Sequence, residues 1–136
     1  MSTLYVARSV GLGKWASDVG LSKHVFKLGV TDEPIKQVVA SGWAGEADWS
    51  LVKAEEVEGL TEEQAIERLA KKEKMIDPNL YPRIKGTRGI FKVLPAHVEN
   101  HIVVTRALGG EPERAGAELK LKPADFAAYL IHNARR

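Results

Sequence analysis

Two runs of strand-forming residues, Leu4-Tyr5-Val6-Ala7 and Val25-Phe26-Lys27-Leu28-Gly29-Val30, are followed directly by Thr31-Asp32-Glu33-Pro34-Ile35-Lys36-Gln37, a stretch with the chemistry of a helix start. Leu4 and Val6 alternate with Tyr5 and Ala7 at the period of two that puts neighbours on opposite faces of a sheet. Thr31 or Asp32 can accept the orphan amide hydrogens of a first helical turn, and Pro34 fits where no amide donor is needed. Strand, strand, helix in that order predicts a fold that begins with the first two strands paired as a hairpin. The pairing is expected across residues 9–23, where Gly11, Gly13, Ser17, Gly20 and Ser22 read as a loop or long hairpin tip.

The remaining signals extend the series. Ile35, Val38 and Val39 give the first helix its apolar stripe, and Gly42 and Gly45 interrupt it. Trp49 and Leu51 alternate with Ser50 and Val52 in a third strand that ends near Val57. Thr61 with Gln64 forms a capping-box pattern ahead of Ile66, Leu69 and Ala70, and Asp77-Pro78-Asn79 closes that helix. A short strand is predicted over Gly89 to Leu94. A helix opens at Pro95 and runs through about Leu108, where Gly109-Gly110 stops it. The last helix is predicted from Pro123 to Asn133, with Phe126, Ala127, Leu130 and Ile131 facing inward. The order is β-β-α-β-α-β-α-α.

A chain of 136 residues encloses one core more readily than two. Apolar residues at 44% and charged residues at 28% exclude a disordered composition. The absence of cysteine excludes disulfides, thiolate metal sites and cysteine nucleophiles. No signal-peptide pattern and no long apolar run is present, so a cytoplasmic protein without membrane contact is the default expectation. A net charge of +2 does not select nucleic acid as a partner by itself. Local charge is more informative. Arg83, Lys85, Arg88 and Lys92 follow one another with Tyr81 and Phe91 interleaved and no acid among them, a pattern suited to phosphates and stacked bases. Its structural alternative is a solvated loop leading into a strand with a buried Phe91.

Other motifs carry less. His97 and His101 stand four apart on one helix, as two metal ligands would, with Glu99 between them. Zinc proteases with a His-Glu-x-x-His run need glutamate where Val98 stands, and His24 and His132 are the remaining candidates for a third ligand. Gly11-Leu12-Gly13-Lys14 lacks the spacing of a phosphate loop because Trp15 follows the lysine. Trp15, Trp43 and Trp49 suit a core or an interface better than base stacking.

The ordered opening resembles that of the GIY-YIG nuclease superfamily. Leu4-Tyr5-Val6 is similar to the first motif and keeps its tyrosine as Tyr5. Lys27-Leu28-Gly29 is similar to the second, keeps the glycine as Gly29 and has lysine where the second tyrosine stands. The resemblance implies a three-stranded antiparallel sheet flanked by helices, an arginine on the first helix and a glutamate that holds one divalent metal. Lys36 or Gln37 falls at the arginine position, and neither offers a planar bidentate fork to phosphate. Thr87-Arg88-Gly89-Ile90-Phe91-Lys92-Val93 resembles the later strand in which an acid precedes an aromatic, with Arg88 and Gly89 in the acid's place. No carboxylate lies between Asp77 and Glu99. Magnesium or manganese, which the resemblance implies as cofactor, therefore loses its anchor unless Glu67 or Glu99 replaces it.

Together these readings predict a single α+β domain over residues 1–136, with a core at about 3–108 and a C-terminal helical extension at about 109–136. The sheet is expected to have three to four strands, mainly antiparallel. The leading functional expectation is nucleic-acid binding, chiefly DNA, with nuclease activity degraded or absent. Lys27, Lys36, Arg83, Lys85, Arg88 and Lys92 would meet phosphates, and Tyr5 is the one catalytic candidate. The first alternative is an active metal-dependent endonuclease that uses Tyr5 with Glu67 or Glu99. The second is a protein-interaction module whose apolar C-terminal helix docks a partner or another copy of the chain.

Overall fold

The computed structural model describes residues 2–21, 23–43, 45–108 and 121–135 and is an α+β structure built on one antiparallel sheet. The strands are β1 (Ser2–Arg8), β2 (Val25–Thr31), β3 (Ser50–Val57), β4 (Lys74–Met75) and β5 (Ile90–Lys92). The helices are α1 (Val10–Asp18), α2 (Ile35–Ser41), α3 (Glu62–Ala70), α4 (Pro95–Leu108) and α5 (Pro123–Ala134), with a 3-10 turn at Pro82–Ile84. The sheet runs in the order β3-β1-β2-β5-β4, so its five strands exceed the three or four expected. The additional strand is β4, whose two residues are too short to show any period of their own.

β1 and β2 pair antiparallel as predicted, with Leu4 opposite Val30, Tyr5 opposite Gly29 and Ala7 opposite Lys27. Leu4, Val6, Phe26 and Leu28 point to one face. There they form a buried cluster with Ile66 and Leu69 of α3, Val98 of α4, and Phe126, Leu130 and Ile131 of α5. The opposite face carries Ala7, Val25 and Ile90 against Leu12 and Ala16 of α1, with Trp49, Ile76 and Ile84. Both faces of the sheet are therefore covered.

The segment predicted as a loop between β1 and β2 instead contains α1. Ser9 caps it, its hydroxyl accepting from the Leu12 amide at 3.1 Å, and the Asp48 carboxylate accepts from the Gly11 amide at 2.9 Å. The same carboxylate accepts from the Ser9 hydroxyl. Each helical glycine costs about 0.5–1 kcal/mol against alanine. Gly13 meets a steric demand in return, because a Cβ there would stand 3.1 Å from the Lys23 carbonyl oxygen. Tertiary contact thus overrides local propensity in α1.

α2 also begins differently from the prediction. Pro34 is the cap, the Thr31 hydroxyl accepts from the Glu33 amide, and Asp32 accepts from Ser2. Ile35, Val38 and Val39 are half-buried. The capping box of α3 is present as read, with Gln64 N to Thr61 Oγ1 and Thr61 N to Gln64 Oε1 both at 3.1 Å. The predicted stop at Gly109-Gly110, and residues 109–120 of the stretch Gly109 to Lys122 that reads as a linker, lie outside the described residues. No helix among the described residues is long and apolar enough to cross a membrane.

The predicted inward stripe of α5 is buried in the chain's own core, with Leu130 wholly inaccessible and Phe126 stacked on Phe26. That face is consumed within the molecule and is not presented to a partner. Truncating Leu130→Ala should destabilise the protein by about 2–5 kcal/mol, measured as a lower urea midpoint with an unchanged slope.

Candidate functional site

The residues singled out on β1 and β2 come together at one point of the sheet. Tyr5 lies directly opposite Gly29. A Cβ at Gly29 would stand 2.6 Å from Glu62 Oε1 and still closer to the Tyr5 hydroxyl, so the missing side chain leaves the space those two oxygens occupy. Glu62 is the first residue of α3, directly after the Thr61 cap, where the helix dipole favours an acid. Its carboxylate accepts from the Val30 amide at 3.3 Å. On the same edge of β2, the Leu28 amide donates to the Gly89 carbonyl at 2.8 Å. Glu62 therefore continues the row of acceptors past the end of β5.

Lys27 is enclosed beside this carboxylate, with its side chain 4% exposed. Its Nζ donates to the Leu28 carbonyl at 3.0 Å and lies 3.8 Å from Glu62 Oε1. It also sits 5.9 Å from the Tyr5 ring centre and 5.5 Å from that of Trp43, within reach of a cation–π attraction. Trp43 stacks on Tyr5 at 5.8 Å and meets Trp49 edge-on at 5.1 Å. Burial pushes the Lys27 amine below its ordinary value. Glu62 opposes that shift, and the Arg88 guanidinium adds to it. Burial, assisted by Glu62, pushes the Tyr5 phenol up, so it keeps its proton at neutral pH.

Gly89 completes the enclosure. Its φ of +84° suits glycine, and a Cβ there would run into the Leu28 carbonyl and stand 3.0 Å from Lys27 Nζ. Lys27 thus fills space beside the position where the resemblance puts an acid. Among the described residues Glu62 is the carboxylate shown to reach this centre. Glu67 is exposed on the same helix, about 140° further round. Glu99 is exposed on α4, a helix that packs through Val98 against the other face of the sheet.

A magnesium or manganese ion requires several oxygen ligands. One carboxylate beside an ammonium does not fit that need. Among the described residues no group of three or more histidine, cysteine, aspartate or glutamate side chains is arranged to hold a metal.

The basic run is divided by the fold. Arg83 is paired with Glu46. Lys85 and Arg88 are exposed in the approach to β5, and Lys36 is exposed on α2. Lys92 is half-buried in β5, opposite Val25 on one side and Lys74 on the other. Two like charges directly across a ladder repel, and an anion between them would relieve that repulsion. At the same end of β2, burial and then the charges of Lys23 and Arg8 hold the His24 imidazole below its usual value.

His97 and His101 do not converge. His97 Nδ1 lies 2.7 Å from Glu73 Oε1, and the Tyr129 hydroxyl donates to the same oxygen at 2.8 Å. The Glu73 side chain is 2% exposed. His101 packs on Tyr129 at 5.5 Å and on His132 at 4.8 Å. This group ties α4 and α5 to the turn after α3. The sequence signals did not point to Glu62, Trp43 or Glu73. Glu62 had one local signal, its place in the first turn after a capping box.

No protein-family model, curated protein or solved structure matches the chain.

Replacing Lys27 with methionine should stabilise the fold by about 1–2 kcal/mol at neutral pH, since the apolar chain fits the same enclosure without burying a charge. The folded amine binds its proton less tightly than the unfolded one, whose value is the ordinary 10.5. Between the depressed value and 10.5 the unfolded chain binds more protons, so wild-type stability rises with pH there. The advantage of Lys27→Met therefore shrinks as pH rises from the depressed value toward 10.5, which paired urea titrations would measure.

Proposed function

We propose that this chain is a GIY-YIG-like domain that binds nucleic acid, with DNA as the first candidate, and does not cleave it. The observation that carries the reading is Lys27. Its ammonium is closed beneath Trp43 and Tyr5, against Gly89, in the part of the sheet where the resemblance requires an accessible acid and a metal. Tyr5 is 3% exposed, and burial raises its phenol so that it keeps its proton, which suits a packing role better than the activation of a water. The catalytic half of the resemblance is therefore set aside and the binding half retained.

Binding rests on the exposed cations Lys36, Lys85 and Arg88, together with Lys92 and Lys74 across the β4–β5 ladder. Such contacts attract phosphates by charge and by release of counterions, without base specificity. Lys27 is withdrawn from this group because it is enclosed. The protein-interaction reading loses its motivation, since the apolar stripe of α5 is already in the core.

The test is a salt titration of labelled single- and double-stranded DNA binding, with manganese added to half the samples and cleavage followed in all of them. Salt-sensitive binding without cutting is the expected result. Metal-dependent cutting that is lost in Glu62→Gln would replace this reading with that of an active endonuclease. The double variant Arg88→Glu, Lys92→Glu should weaken binding at least tenfold at low salt. Its slope of log affinity against log salt should flatten by about 0.7–0.9 for each phosphate contact removed. Unchanged affinity would remove these residues from the interface.

A further inference from the structure

We infer that Trp43 is a cover over Lys27 and that the Glu46–Arg83 ion pair latches it shut, so that a polyanion competing for Arg83 releases the cover. The polyanion half of this inference rests on the nucleic-acid reading, whereas the cover and latch do not. Trp43 provides the indole face nearest the Lys27 ammonium and also stacks on Tyr5. No regular ladder holds it in place. Its backbone pairs with Glu46 in an isolated bridge, where the Glu46 amide donates to the Trp43 carbonyl at 3.1 Å. The same carbonyl accepts from Trp49 Nε1 at 2.9 Å. Gly42, with φ of +69°, directly precedes Trp43, and Gly45, with φ of +75°, directly precedes Glu46.

The bridge places the Glu46 carboxylate at the point of attachment. It reaches across to the Arg83 guanidinium in the 3-10 turn and sits against Gly11 of α1, where a Cβ would be 3.0 Å from its carboxyl carbon. A guanidinium accepts a carboxylate or a phosphate in the same planar geometry. Glu46 thus holds a group that a phosphate would also take. Once the Glu46 carboxylate lets go of Arg83, the turn that carries Trp43 loses that tie to the 3-10 turn, and Trp43 is held by the Glu46 amide, by its bond and edge contact with Trp49 and by its faces against Tyr5 and Lys27. Lys27 then joins the cationic surface next to Arg88.

The reactivity of Lys27 toward a trace of acetic anhydride, read peptide by peptide by mass spectrometry with exposed Lys36 as the internal reference, tests this. In the wild-type protein Lys27 should acylate at least about tenfold more slowly than Lys36, because reaction needs an opened state. Glu46→Gln, and independently Arg83→Gln, should raise the Lys27 rate severalfold while the Lys36 rate stays fixed. Trp43→Ala sets the fully uncovered limit. Circular dichroism would confirm that each variant is folded, and either latch variant alone is sufficient for the test. Equal rates at Lys27 and Lys36 in the wild type would refute the cover. A Lys27 rate that responds to Trp43→Ala but to neither latch variant would refute the latch.

Binding of a labelled oligonucleotide by Glu46→Gln separates the two levels. Severalfold tighter binding than wild type supports release by a polyanion. Accelerated Lys27 labelling without any oligonucleotide binding would leave cover and latch standing and overturn both the polyanion trigger and the nucleic-acid reading.

Discussion

Enclosing the Lys27 ammonium in the middle of a central strand sets conditions that much of the surrounding structure meets. A buried amine needs acceptors, and these come from the Leu28 carbonyl and from Glu62, brought in by the capped start of α3. It needs room, which Gly89 supplies by having no side chain, as Gly29 does for the Tyr5 hydroxyl and Glu62. It also gains from aromatic faces, which Tyr5 and Trp43 present. Removing a charge from water is costly unless each of these is in place. β1, β2, α3, Trp43 and the approach to β5 are consequently tied to one another by a single polar group. An apolar residue at position 27 would place none of those demands on its neighbours.

The opposite face of the sheet is organised by packing. α3, α4 and α5 cover Leu4, Val6, Phe26 and Leu28 with a continuous apolar cluster, and one buried carboxylate is set into it. Glu73 is satisfied by His97 and Tyr129, from two different helices. Such a bond pair fixes how α4 lies against α5 more tightly than apolar contact alone, since a hydrogen bond has direction. The two faces therefore use the same device, a buried charge completed by residues far away in sequence.

That device explains which parts of the structure were legible in the sequence. β1, β2, the start of α3 and α5 were readable because each rests on local signals: alternation at Leu4 to Ala7, the Thr61–Gln64 box, and Pro123 ahead of the Phe126, Leu130 and Ile131 stripe, whereas α3 ends at Ala70 and not at the expected Asp77-Pro78-Asn79. α1 was not readable. Its glycines oppose a helix, and what overrides them is a cap on Asp48 and the close approach of Lys23, 37 and 10 or so residues away in the chain. At the site, Tyr5 and Lys27 were legible as neighbours because pairing of β1 with β2 sets Tyr5 opposite Gly29, two residues along the same face from Lys27. The carboxylate was misplaced, at Glu67 or Glu99, because which helical acid reaches the strands depends on where α3 docks. Trp43 as a cover had no local signal beyond the glycines beside it.

The distribution of charge bears on what such a centre can do. A metal-assisted phosphate reaction needs a negatively charged, water-accessible pocket that attracts a divalent cation before substrate arrives. Here the fixed cation is a lysine held under aromatic rings, and the nearest carboxylate is already shared between that lysine and a backbone amide. Arg88 adds positive charge from outside, enough to help push the amine's proton affinity down. The centre therefore does not offer the several oxygen ligands that a divalent ion needs. On the proposed reading, a surface with Lys27 covered and Arg83 paired with Glu46 makes reversible phosphate contact and leaves the bonds intact.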